Sequence, residues 1–78
     1  MTPTVTLYGR PGCCLCDEAR ATLERVRSRI PFRLEVVDIE RDDVLHARHL
    51  ERIPVVAVDG EEVCQYEVDE AAVLAALA

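Results

Sequence analysis

Gly9, Pro11 and Gly12 separate two stretches of different periodicity, and that break decides much of what this chain can become. Before it, "TVTLY" (Thr4 to Tyr8) is a β-branched run of strand length. After it, from Cys14 onward, Leu15, Ala19, Leu23, Val26 and Ile30 recur at helical spacing with charged residues between them. Pro31 stops that helix, because proline lacks the amide donor and its ring clashes with the preceding turn. "FRLEVVDI" (Phe32 to Ile39) alternates at its start and then becomes continuously apolar, as a second strand would.

The second half is punctuated as clearly. "ERDDVLHARHLER" reads as a short helix capped by Asp42 or Asp43, with Val44, Ala47 and Leu50 at helical spacing. "IPVVAVDGEEVCQY" holds two short strands around Asp59-Gly60, a pair that suits the two positive-φ positions of a tight hairpin. "VDEAAVLAALA" closes as a helix with Asp69 as N-cap. The order β-α-β-α-β-β-α predicts an α/β fold. A right-handed parallel βαβ unit joins a hairpin in a mixed four-stranded sheet flanked by helices.

A length of 78 residues suits a single domain, 1–78, with one small core. Half of the residues are apolar, but the only aromatics are Tyr8, Phe32 and Tyr66, so aliphatic side chains must build that core. The formal charge is −6 and all nine cations are Arg. Such a balance disfavours nucleic acid and anionic membranes as partners. "MTPTVTLYGR" does not read as a signal peptide, so a cytoplasmic location and a monomer are expected. In that compartment clustered cysteines point to redox or metal chemistry rather than to structural disulfides.

Three of the four cysteines, Cys13, Cys14 and Cys16, crowd onto the front of the first helix. Cys13 and Cys16 form a C-x-x-C pair. Unpaired amides and the positive dipole end at a helix N-terminus favour a thiolate, the reactive form of cysteine. The spacing predicts an exposed Cys13 that attacks a disulfide and a shielded Cys16 that resolves the mixed disulfide. Cys14 should point away from this axis, because vicinal cysteines bridge only with strain. It is read as a bystander, with an auxiliary redox or metal role as the alternative. Arg10, three residues before Cys13, is a candidate for holding its thiolate, while Asp17 and Glu18 suit the helix dipole. His46 and His49 read as solvated helix residues, and no second C-x-x-C completes a zinc set, so no metal is assigned.

A strand, a C-x-x-C opening a helix, and then "RIPVVAVDGEEV" make this sequence resemble the glutaredoxins of the thioredoxin-fold superfamily. It is most similar to small bacterial glutaredoxin-like proteins with the pattern "LYxRPGCxLC". The resemblance spans nearly the whole chain. It implies a thiol-disulfide oxidoreductase acting on protein disulfides or glutathione mixed disulfides, with no bound cofactor and glutathione as redox partner. It further implies a cis Ile53–Pro54 bond beside the sulfurs, with Arg10, Ile53 and Pro54 binding substrate. Two departures stand out. The Gly-Gly pair that holds glutathione is replaced by Cys64 and Gln65, and the lysine before the first cysteine is missing. The loss of the Gly-Gly pair fits a redoxin reduced by thioredoxin reductase. A third reading is a binding module or metal carrier that uses the cysteine cluster. Cys64 is either a small buried strand residue or an auxiliary thiol near the site.

Overall fold

The computed structural model describes residues 2–77. Its elements are β1 (Thr4–Gly9), α1 (Cys14–Arg27), β2 (Arg33–Asp38), α2 (Asp43–His49), β3 (Val55–Val58), β4 (Glu61–Gln65) and α3 (Glu70–Leu77), with a 3₁₀ turn at Ile39–Arg41 before α2. The sheet order is β2-β1-β3-β4. β1 pairs parallel with β2, in register from Thr4 with Arg33 to Gly9 with Asp38, and antiparallel with β3, which pairs antiparallel with β4.

Alternation along β1 explains the layering. Val5, Leu7 and Gly9 are buried on one face. There α1 lays down Ala19, Leu23 and Val26, and α3 contributes Val73. Side chains of a strand alternate between faces, so Tyr8 points the other way, where α2 covers the sheet. β3 lies centrally, and all four of its residues are buried. The chain reverses at Asp59 and Gly60, with φ of 50° and 91°, the mirror-image turn that suits a twisted hairpin. Asp59 also ties the hairpin to the start of β1: its carboxylate accepts the Thr4 N–H at 2.9 Å.

Three expectations need correction. α1 ends at Arg27 rather than at Pro31, because the Ser28 hydroxyl donates to Arg25 O at 2.7 Å and caps the last turn. The residue before Pro31, Ile30, is in any case steered away from helix. On α2 the apolar positions face outward, with Val44 at 72% exposure and Ala47 and Leu50 also exposed. The buried anchor of α2 is His49, at 3%, and His46 is half-buried, so neither histidine is fully solvated.

Candidate active site

The strand β1 delivers the chain to the site and the break at Gly9–Gly12 turns it into α1. Gly12 has φ of 78°, which suits glycine in this turn. Cys13 is the N-cap of α1, with φ −89° and ψ 111°. Its sulfur takes the place that a serine or aspartate oxygen commonly fills, accepting the Cys16 N–H at 3.2 Å. One amide at the helix front is therefore aimed at the sulfur, and a negative sulfur is the better acceptor.

The three clustered thiols differ in access. Cys13 is half-buried, Cys14 is exposed, and Cys16 is 7% exposed. The Cys16 N–H bonded to the Cys13 sulfur joins these two residues, so the fold brings the C-x-x-C pair together and leaves Cys14 outside it. Burial pushes the Cys16 thiol up to about 11, reinforced by the Cys13 side chain beside it and by the negative charges of Cys13 and Asp17. The Arg10 main-chain N–H, bonded to the Cys16 sulfur, opposes this rise. The Arg10 side chain itself is exposed, so its structural contribution here is made by the backbone.

Gly9 is a site residue that sequence reasoning missed. A Cβ built on it would stand 2.9 Å from Cys16 Sγ and 3.2 Å from Cys16 Cβ. The Cys16 sulfur thus occupies the space that any other residue at position 9 would fill. Gly9→Ala is expected to cost about 1–3 kcal/mol by overpacking and to drive the Cys16 thiol outward. Chemical denaturation and the rate of Cys16 alkylation check both. The same two residues line a groove of about 660 Å³, together with Leu7, Arg10, Asp17 and Val36.

The remaining predicted positions lie just before the central strand β3, on β4 and at the start of α3. The Ile53–Pro54 peptide is cis, Pro54 is fully buried and Ile53 half-buried. Among the described residues, the Ile53 main chain makes no hydrogen bond to another main-chain group, whereas the flanking Arg52 and Pro54 carbonyls both accept the Tyr66 N–H. Cys64 sits on β4 opposite Val56, packed against the core, with its sulfur 3.9 Å from Asp69 O. Asp69 caps α3, accepting the N–H groups of Ala71 and Ala72 at 3.0 and 3.3 Å.

Sequence reading also missed a cluster under α2. The His49 ring stacks on Tyr8, centroids 4.6 Å apart, and its Nδ1 lies 2.9 Å from Arg52 Nη2. Arg52 forms a two-pronged pair with Glu62 at 2.9 and 3.1 Å. The Asp59-Gly60 hairpin gave a signal for this, since it fixes β4 beside β3 and hence Glu62 opposite Ala57.

A four-stranded mixed sheet with α1 and α3 on one face, α2 on the other and a cysteine pair at the front of α1 defines a thioredoxin-like fold. A thioredoxin from Halobacterium salinarum shares it, with a TM-score of 0.67 at 18% identity, over 96% of this chain and 71% of that one. The chain belongs to the family described as Glutaredoxin-like domain (DUF836), whose model matches residues 4–78. The solution structure of protein Ne2328 from Nitrosomonas europaea is similar to it, with a TM-score of 0.90 at 31% identity, covering 100% of this chain and 94% of that one. The "Uncharacterized protein Rv0508" of Mycobacterium tuberculosis is 33% identical, over 87% of this chain and 75% of its own length.

Proposed function

We propose that this protein is a thiol-disulfide oxidoreductase whose working pair is Cys13 and Cys16. One observation carries the reading. The half-buried sulfur at the helix cap accepts a helix amide, while its partner three residues on is buried and held protonated. That asymmetry separates an attacking thiolate from a waiting thiol.

In the first step the Cys13 thiolate attacks one sulfur of a substrate disulfide. The substrate S–S bond breaks, its other sulfur leaves as a thiolate and takes a proton, and a mixed disulfide with Cys13 forms. Cys16 then loses its proton and attacks the Cys13 sulfur. The second substrate thiol departs, and a Cys13–Cys16 disulfide remains. Two electrons have passed to the substrate, and an external thiol donor returns them. Part of what holds Cys16 protonated is the Cys13 side chain beside it and the charge on it. Forming the mixed disulfide removes that charge, so the resolving thiol is released when it is needed.

Arg10 and the free main chain of Ile53 beside Pro54 are the proposed substrate contacts, Ile53 pairing with an extended peptide as a strand edge does. Cys14 and Cys64 are bystanders in this scheme. One observation favours thioredoxin reductase over glutathione as the electron donor. At the two positions where a Gly-Gly pair would leave room, Cys64 packs on the core and Gln65 Oε1 lies 3.4 Å from Arg52 Nη1.

Two measurements test the proposal. Equilibration with a series of glutathione redox buffers, followed by mass spectrometry, should give a Cys13–Cys16 bridge and no other pairing. Turnover of a peptide disulfide should be measured with glutathione and with NADPH and thioredoxin reductase, side by side. Absence of turnover with both donors would defeat the reading.

A further inference from the structure

Arg52 makes an unusually complete set of contacts. A guanidinium carries five N–H donors in a rigid fork, and each has an acceptor here. Nε faces Arg48 O at 3.4 Å. Nη1 faces Glu62 Oε2 at 2.9 Å and Gln65 Oε1 at 3.4 Å. Nη2 faces Glu62 Oε1 at 3.1 Å and His49 Nδ1 at 2.9 Å. The main chain of Arg52 is held as well: its N–H donates to His49 O at 2.8 Å, and its carbonyl accepts the Tyr66 N–H at 3.1 Å. That same N–H reaches Pro54 O at 2.9 Å. One residue thus ties the end of α2 and strand β4 to the segment Arg52–Pro54.

We propose that Arg52 is a positioning residue that holds the Ile53–Pro54 segment for substrate, and that it does so only while His49 is neutral. The inference rests on the dithiol reading above and adds how that site is held and regulated.

The requirement for a neutral histidine follows from the donor set. Arginine is always a donor. His49 Nδ1, at 2.9 Å from Nη2, must therefore accept, which puts the ring proton on Nε2. Protonation would set an N–H against a guanidinium N–H and bring two cations together. The ring would also turn toward Glu62 Oε1, 3.8 Å away, and compete with Arg52 for it.

The groups facing His49 are Tyr8 from β1, Arg48 from α2, Arg52 from the following segment and Glu62 from β4. Burial pushes the histidine below its ordinary value, Arg52 and Arg48 add to this, and Glu62 opposes it. The Arg52 hydrogen bond holds the Glu62 carboxyl below its usual range, so the carboxylate persists as the histidine titrates. A histidine lowered on folding favours the closed arrangement fully above the ordinary value near 6.5. That contribution is lost as pH falls below it toward the folded value. The arrangement is closed at neutrality and opens on acidification.

The test separates positioning from thiol chemistry. kcat and KM for an uncharged peptide disulfide are measured from pH 5 to 8, beside the rate of Cys13 alkylation by iodoacetamide. Alkylation reports the sulfur alone. In the wild type, kcat/KM should fall roughly tenfold more than alkylation does between pH 7 and 5. His49→Asn keeps an acceptor for Arg52 but cannot be protonated, so its two profiles should run parallel. Arg52→Gln should raise KM roughly tenfold at pH 7 with Cys13 alkylation unchanged.

Wild-type profiles that superimpose at every pH would overturn the proposal, and they decide the matter even if a variant fails to fold. Absence of turnover at any pH counts against the dithiol function instead. The positioning claim is then decided by NMR. Ile53 and Tyr66 amide shifts that titrate with the His49 ring support it, and shifts that ignore that ring refute it.

Discussion

Cys16→Ser is expected to stop the reaction at the mixed disulfide. With a peptide disulfide and no glutathione present, the protein should gain the mass of one peptide half, located on Cys13, and release it on adding dithiothreitol. The reason lies in the pairing. Cys16 is the cysteine whose N–H holds the Cys13 sulfur, and serine at that place has no sulfur with which to displace the captured one. Cys14 is exposed and adjacent in the chain, but a bridge between neighbours is strained. Multiple turnover should fall at least roughly 10³-fold, while the first capture proceeds at the wild-type rate. Full turnover by Cys16→Ser under these conditions would show that another thiol resolves the intermediate.

Cys13→Ser should abolish capture itself. Serine can still cap the helix, so the fold loses little: a hydroxyl at an N-cap is as good as or better than sulfur. The nucleophile is lost, because a serine hydroxyl without a general base beside it does not attack a disulfide. The expected result is a melting temperature within a few degrees of wild type, with turnover down by roughly 10³-fold or more. The combination matters, since a stable but inactive protein excludes unfolding as the cause. A Cys13→Ser variant that still reduces peptide disulfides would transfer the attacking role to Cys14.

The elements that sequence displays well are those set by local chemistry. The turn at Asp59-Gly60 needs positive φ at both positions, and both have it. Asp42 and Asp69 cap their helices through their own side chains. The C-x-x-C pair carries its geometry within its spacing, because three residues is nearly one helical turn.

Features set by distant partners were hidden. Gly9 looks like a strand terminator, yet its lack of a side chain houses a sulfur seven residues later in the chain. In α2 the apolar spacing pointed to the wrong face. A seven-residue helix offers too few positions for periodicity to decide, and its buried contact is a histidine stacked on Tyr8. Its ring is satisfied by Arg52, whose own partners come from β4. A polar group that is buried because its partner lies on another strand leaves no trace in hydrophobic pattern.

The division of labour between the cysteines is tested most directly by a competition. The reduced wild-type protein is given a limiting amount of iodoacetamide at pH 7, and labelling of each cysteine is followed by peptide mass spectrometry. Exposure alone would rank Cys14 first, since it is exposed and Cys13 is half-buried. The helix-front amide bonded to the Cys13 sulfur predicts the opposite order, with Cys13 labelled fastest and Cys16 slowest. Labelling of Cys14 ahead of Cys13, or of Cys16 as readily as either, would contradict the account.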